Sequence, residues 1–166
     1  LKDQVVSAFS DPKLTAVMLF VTAVLLTLSE VLSKKTRETS ELTWLDSLII
    51  GLFQALSIFP GISRSGATIS GGLFRGLKRQ DAARFAFLLA IPIMTAAGVM
   101  ALKDLVAVPG LASFLPIVLV GFVVAGLVGY FVIRWFLGFL KTRSMLPFAL
   151  YCGLLSVAVL LIMGIR

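Results

Sequence analysis

Pro60-Gly61-Ile62-Ser63-Arg64-Ser65-Gly66-Ala67-Thr68 is a polar, helix-breaking run set inside a very apolar chain. Hydrocarbon does not tolerate exposed irregular backbone, so non-helical chain at membrane depth is buried in protein or faces a wet cavity. An ionisable residue there is a functional-site candidate. The surroundings make this a membrane problem. The 166 residues are 59% hydrophobic and only 14% charged, and the mean hydropathy is +1.06. The apolar runs reach the ~20 residues that a bilayer-crossing helix needs. The sequence therefore predicts an all-α polytopic membrane protein, a single helical bundle without a soluble domain. The lone Cys152 lies in an apolar run and implies neither a disulfide nor a metal cluster, and no His is present to act as a base near neutral pH. The chain begins at Leu1 without an initiator Met or a signal peptide, which leads us to expect a fragment or a processed chain.

Outward from the loop, the apolar segments separate well. The first runs from about Leu14 to Leu32, opened by Asp11-Pro12 as N-cap and first helical residue. A polar stretch from Ser33 to Thr43 leads to a second apolar piece, Trp44 to Phe59, whose Thr43 and Asp46 have capping-box spacing. After the loop, a short Gly-rich helix of about 66–77 is expected. Transmembrane helices follow at about 82–102 (kinked at Pro92), 114–140 and 147–165. Trp44 to Phe59 as helix would be roughly 24 Å long and Gly66 to Gly76 roughly 16 Å. Each is short of the ~30 Å hydrocarbon core. The pair is either one broken span or a re-entrant hairpin, 44–77, that enters and returns on the same side.

Charge favours the hairpin. In that reading nine cations share one face (Lys34, Lys35, Arg37, Arg75, Lys78, Arg79, Arg84, Lys141, Arg143) against four at Lys2, Lys13, Lys103 and Arg166. A single span splits the same residues eight against five. The hairpin topology places both chain ends outside.

The loop has what a phosphate site needs: donors, positive charge and close backbone approach. Gly61 and Gly66 permit unusual backbone angles, and Ser63, Ser65 and Thr68 supply hydroxyl groups. Arg64 offers a planar fork that matches phosphate oxygens in a bidentate way. The helix after Gly66 would aim free N–H groups and a positive dipole end at the loop, as half-helices do in transporters that hold anions. This chemistry does not distinguish hydrolysis from transport. A plain kink would not need three hydroxyl residues and an Arg. Gln54, sharing a face with Ser57, either hydrogen-bonds a ligand or ties the half-helices together. Arg75 and Lys78 are expected at the membrane surface among anionic headgroups. Glu30 and Lys34 are expected as a solvated i, i+4 pair, and Gly121, Ala125 and Gly129 as a stripe for close helix approach. Arg134 is expected to snorkel.

The residues Gly51-Leu52-Phe53-Gln54, then Pro60 through Thr68, then Gly71-Gly72-Leu73-Phe74-Arg75-Gly76-Leu77 closely resemble the second signature of the undecaprenyl pyrophosphate phosphatases, the bacitracin-resistance family. The resemblance covers essentially the whole chain. It implies an inverted-topology repeat in which each half contributes a re-entrant hairpin. Residues 1–40 would be the last transmembrane helix of the first repeat plus a linker, and 41–166 the second repeat. It further implies a bacterial inner-membrane enzyme that hydrolyses undecaprenyl pyrophosphate to the monophosphate. That reaction recycles the lipid carrier of cell-wall synthesis. Ser63, Arg64 and Thr68 would lie at the pyrophosphate, with Ser63 and Arg64 as the catalytic candidates; Ser65, Gly66 and Gln54 complete the substrate-binding set. A divalent cation, Mg²⁺ or Ca²⁺, is implied as cofactor. No metal ligand is expected on this chain. The implied partners are the isoprenyl pyrophosphate lipid, the bilayer and a second copy of the protein, with no nucleic acid. The family's first signature, with paired Glu residues, a Ser loop and a His, is missing: no Glu-x-x-x-Glu and no His occur. The expectation is therefore that this is the C-terminal part of an enzyme, inactive alone, with a lipid transporter or flippase as the rival class.

Overall fold

The computed structural model describes residues 11–164, all helical apart from connections and one isolated bridge. Its six α-helices are α1 (Pro12–Leu32), α2 (Trp44–Ala55), α3 (Arg64–Phe74), α4 (Arg79–Val106), α5 (Leu111–Phe139) and α6 (Leu146–Gly164). Four of them, α1, α4, α5 and α6, are long and apolar enough to cross a membrane. The chain is thus a multi-pass membrane protein. α4 passes through Pro92 as a single helix. Lys2 and Arg166, counted to the outer face above, lie outside the described residues.

Local chemistry accounts for the helix starts. Asp11 accepts from the amides of Lys13 and Leu14, with Pro12 opening α1. Thr43 and Asp46 form the reciprocal capping box that opens α2. α2 ends in a short 3-10 turn over Leu56–Ile58, and Gly61 then takes φ 92°. A Cβ at Gly61 would meet the Thr15 carbonyl oxygen at 2.1 Å, so the loop passes α1 at a distance only glycine allows.

α3 is the centre of the molecule. Gly66 through Leu73 are all buried, with Ile69 and Leu73 fully enclosed. α1, α2 and α4 all pack on it, and α1 in turn packs along α6. In a membrane the apolar effect gives little help between helices, so close packing and interhelical hydrogen bonds must hold them. Both occur here. A Cβ at Gly71 would strike the Phe53 side chain at 2.9 Å, and one at Gly72 the Ala82 Cβ at 2.9 Å. Ser29 donates to Ser70 at 3.1 Å, and Ser156 donates to the Ala16 carbonyl at 2.6 Å, both buried.

The chain between Phe59 and Arg64 turns back rather than running on. Arg75, just past α3, donates to Asp46 at the start of α2, Nε to Oδ1 2.5 Å. A parallel bridge joins Arg37 to Leu77, with Arg37 N–H donating to Gly76 O at 2.9 Å and Lys78 N–H to Arg37 O at 2.8 Å. The open ends of α2 and α3 therefore meet on one side, so the two helices form a hairpin. At 12 and 11 residues, neither helix reaches across hydrocarbon.

One expectation is corrected by this base, that for Glu30. Arg75 closes on Asp46 together with Arg37 (Nη2 to Oδ2, 2.8 Å), joining the two ends of the hairpin. Glu30 is not a solvated partner of Lys34. It is buried, bonded by Arg79 and Lys35, and it accepts from the Met145 amide at 3.2 Å. That carboxylate ties the end of α1 to the start of α4 and to the turn before α6. On α5, a Cβ at Gly121 or Gly129 would meet nothing within 4 Å among the described residues.

Candidate functional site

At the tip of the hairpin, Ser63 is the N-cap of α3. Its Oγ accepts from the Gly66 amide at 3.1 Å, and its own N–H donates to Thr22 Oγ1 at 3.1 Å. Thr22 also donates toward the Gly61 carbonyl at 3.3 Å, so this α1 hydroxyl fastens the loop on both sides of Ile62. Thr22 is fully buried midway along α1. Sequence reasoning passed over it. The signal was there, because a hydroxyl in a spanning segment needs a partner.

Ser63 and Ser65 place their hydroxyl oxygens 3.5 Å apart at the start of α3. The amides of Arg64 and Ser65 have no acceptor among the described residues. The Arg64 side chain is half-buried and leans on α4, where Nη1 lies 3.5 Å from Met94 Sδ. A thioether is a weak acceptor, easily exchanged for an anionic oxygen. No carboxylate pairs with Arg64 among the described residues. Thr68 sits deeper. It is buried one turn into α3, and its hydroxyl donates to the Arg64 carbonyl at 2.7 Å. Gln54 is buried in the last turn of α2, and its Oε1 meets no donor among the described residues. Its side chain makes no hydrogen bond to α3 there, so nothing here supports it as a tie between half-helices.

A cavity of about 390 Å³ opens beside the tip. Ser63, Ser65 and Gly66 form its polar end, and Phe87, Phe136, Phe148 and Tyr151 stand among its apolar walls. Arg64 is not part of that lining. The structure thus gathers Ser63, Ser65 and Gly66 on one cavity and sets Arg64 beside it, Thr68 beneath it and Gln54 on the neighbouring helix. A divalent cation finds little to hold it. No group of three acidic, His or Cys side chains occurs among the described residues, and the buried carboxylates Glu30 and Asp46 are engaged by Arg and Lys at the hairpin base. The residues present do not fit a metal site, and no step is derived through one.

Fold and site together define a polytopic helical membrane protein built around a helical hairpin with a polar tip. Comparison with known sequences makes this specific: residues 1–158 match the bacitracin resistance protein BacA family, and the chain belongs to that family. It is 44% identical over 165 residues to an undecaprenyl-diphosphatase of Mycolicibacterium smegmatis, covering 98% of this chain and 60% of that protein. It is likewise 44% identical over 161 residues to an undecaprenyl-diphosphatase of Thermobifida fusca, covering 96% of this chain and 54% of the relative. An undecaprenyl-diphosphatase 2 of Streptomyces coelicolor is 40% identical, covering 99% and 60%. The chain spans about three fifths of the length of the curated relatives it matches.

Proposed function

We propose that the protein carrying this chain hydrolyses undecaprenyl pyrophosphate in the bacterial inner membrane, water splitting the P–O–P anhydride to leave undecaprenyl phosphate and inorganic phosphate. The observation that carries this reading is the α3 N-terminus. There Ser63 and Ser65 line a cavity whose other walls are apolar, and the unbonded amides of Arg64 and Ser65 stand at the same helix start. Such a cavity suits an amphiphile with an oxyanion at one end. The relatives' names supply the substrate. In this reading Arg64 leaves Met94 and takes two phosphate oxygens in its fork, offsetting charge as the leaving phosphate separates. Ser63 and Ser65 donate to the remaining oxygens, and the helix dipole adds favourable potential. Thr68 acts indirectly, holding the Arg64 carbonyl, and Gln54 offers a buried acceptor. No residue of this chain is assigned to the attack on phosphorus.

Release of inorganic phosphate from undecaprenyl pyrophosphate by the purified protein tests the reading. Turnover that survives Arg64→Ala contradicts it. Movement of the lipid across a vesicle wall without phosphate release would place the protein with anionic-lipid transporters instead. Run on the 166 residues alone, the same assay tests the expectation that they do not turn over by themselves.

A further inference from the structure

Away from the tip, where α4 begins beside the end of α5, two cavities of about 270 and 610 Å³ share Gln80 and Lys141. The smaller is lined by Lys35, Lys78, Arg79 and Lys141 against the single carboxylate Asp81. The larger adds Arg134 and Tyr130, then the apolar Ile133 and Leu137, and no acidic residue. The cations are not equivalent. Lys35 and Arg79 are held by Glu30, and Lys78 by Glu38. Arg134 and Lys141 have no carboxylate partner among the described residues; Arg134 only donates to the Tyr130 hydroxyl at 3.2 Å. Lys78, the N-cap residue of α4, gives no side-chain cap, and the first residues of that helix line the smaller cavity.

Tyr130, Arg134, Leu137 and Lys141 fall at i, i+4, i+7 and i+11, which is one face of α5 and its C-terminal extension. Polar groups thus stand at the helix ends, with an apolar wall running from them along α5, a helix that buries none of its described residues. We propose that this groove holds one anionic glycerophospholipid. The phosphodiester lies between Arg134 and Lys141, with Tyr130 and Gln80 as further donors, and an acyl chain follows Ile133 and Leu137. Basic pockets between transmembrane helices at the cytoplasmic face suit such headgroups. The apolar wall is what selects a lipid over free phosphate. The headgroup end, at Arg134 and Lys141, is not part of the tip cavity's lining, and the apolar wall meets that cavity at Ile133.

The test is native mass spectrometry of the purified full-length protein that carries this chain, after exchange into discs holding equal phosphatidylcholine and phosphatidylglycerol. We expect one phosphatidylglycerol retained per chain in preference to phosphatidylcholine. Arg134→Ala and Lys141→Ala should each lower that preference about fivefold, and the pair about 25-fold. The conservative pair Arg134→Lys with Lys141→Arg should keep most of it, which guards against an alanine protein that fails to fold. Millimolar inorganic phosphate should not displace the lipid. Equal retention of the two lipids, an alanine pair that binds like wild type, or displacement by inorganic phosphate would each overturn the proposal.

Discussion

At the base of the α2–α3 hairpin, Arg37 and Arg75 close on the buried Asp46 carboxylate, whereas at its tip Arg64 meets only the sulfur of Met94. Both ends combine arginine, hydroxyl groups and a helix terminus. At the base the charges satisfy one another: Thr43 donates to Asp46 through both N–H and Oγ1, and Glu30 gathers Arg79, Lys35 and the Met145 amide. At the tip a cation, two amides, the hydroxyl protons of Ser63 and Ser65 and the Gln54 side-chain Oε1 have no strong partner among the described residues. The same residue types hold the fold together where they are paired and are available to a ligand where they are not.

That contrast can be broken by substitution. The largest effect belongs to the tip. Arg64→Ala should lower phosphate release by about a thousandfold and leave the melting temperature in detergent close to wild type, while Arg64→Lys restores little, because an ammonium lacks the fork. Base variants should do the reverse. Asp46→Asn should cost about 2 kcal/mol in a denaturation series, below the full figure for a buried pair because both guanidinium groups reach solvent. Thr22→Val, which keeps the shape but removes the hydroxyl, should cost about 1 kcal/mol. It should also raise KM more than it lowers kcat, since it frees the loop without touching phosphate. The smallest effect is one of pH. Hydrogen bonds from Arg37, then from Thr43 and Arg75, hold the Asp46 carboxyl well below the usual carboxylate range. Its folded-state pKa is lower than its unfolded one, so its contribution to stability is complete above pH ~5. That contribution is lost as pH falls below ~4, through the unfolded pKa toward the folded one. The wild-type melting temperature should therefore drop on acidification, and Asp46→Asn should flatten that part of the drop.

Much of this was readable in the residues. Segment lengths and hydropathy located the four long helices, and Asp11-Pro12 and Thr43-x-x-Asp46 marked the starts of α1 and α2, because capping depends on neighbours in sequence. Segment length and the Lys/Arg count pointed to the hairpin. What escaped depends on contacts distant in sequence. Glu30 finds Arg79 and the Met145 amide rather than the nearer Lys34, and Arg75 finds Asp46, 29 positions away. Helical spacing cannot reveal such pairs. The hydroxyls of Ser63 and Ser65 could be placed at a helix start from sequence, but that Arg64 turns aside to Met94 could not.

The central claim is that residues 44–77 enter and return on one face, so that the Ser63–Arg64 tip sits at depth between two short helices. Thiol labelling in sealed vesicles tests it most directly. With Cys152 replaced by Ser, single cysteines at the exposed positions Ser40, Lys78 and Lys103 would be probed with a membrane-impermeant reagent. The account predicts that Ser40→Cys and Lys78→Cys react from the same side and Lys103→Cys from the opposite one. Labelling of positions 40 and 78 from opposite sides would make the segment a single broken span and contradict the account.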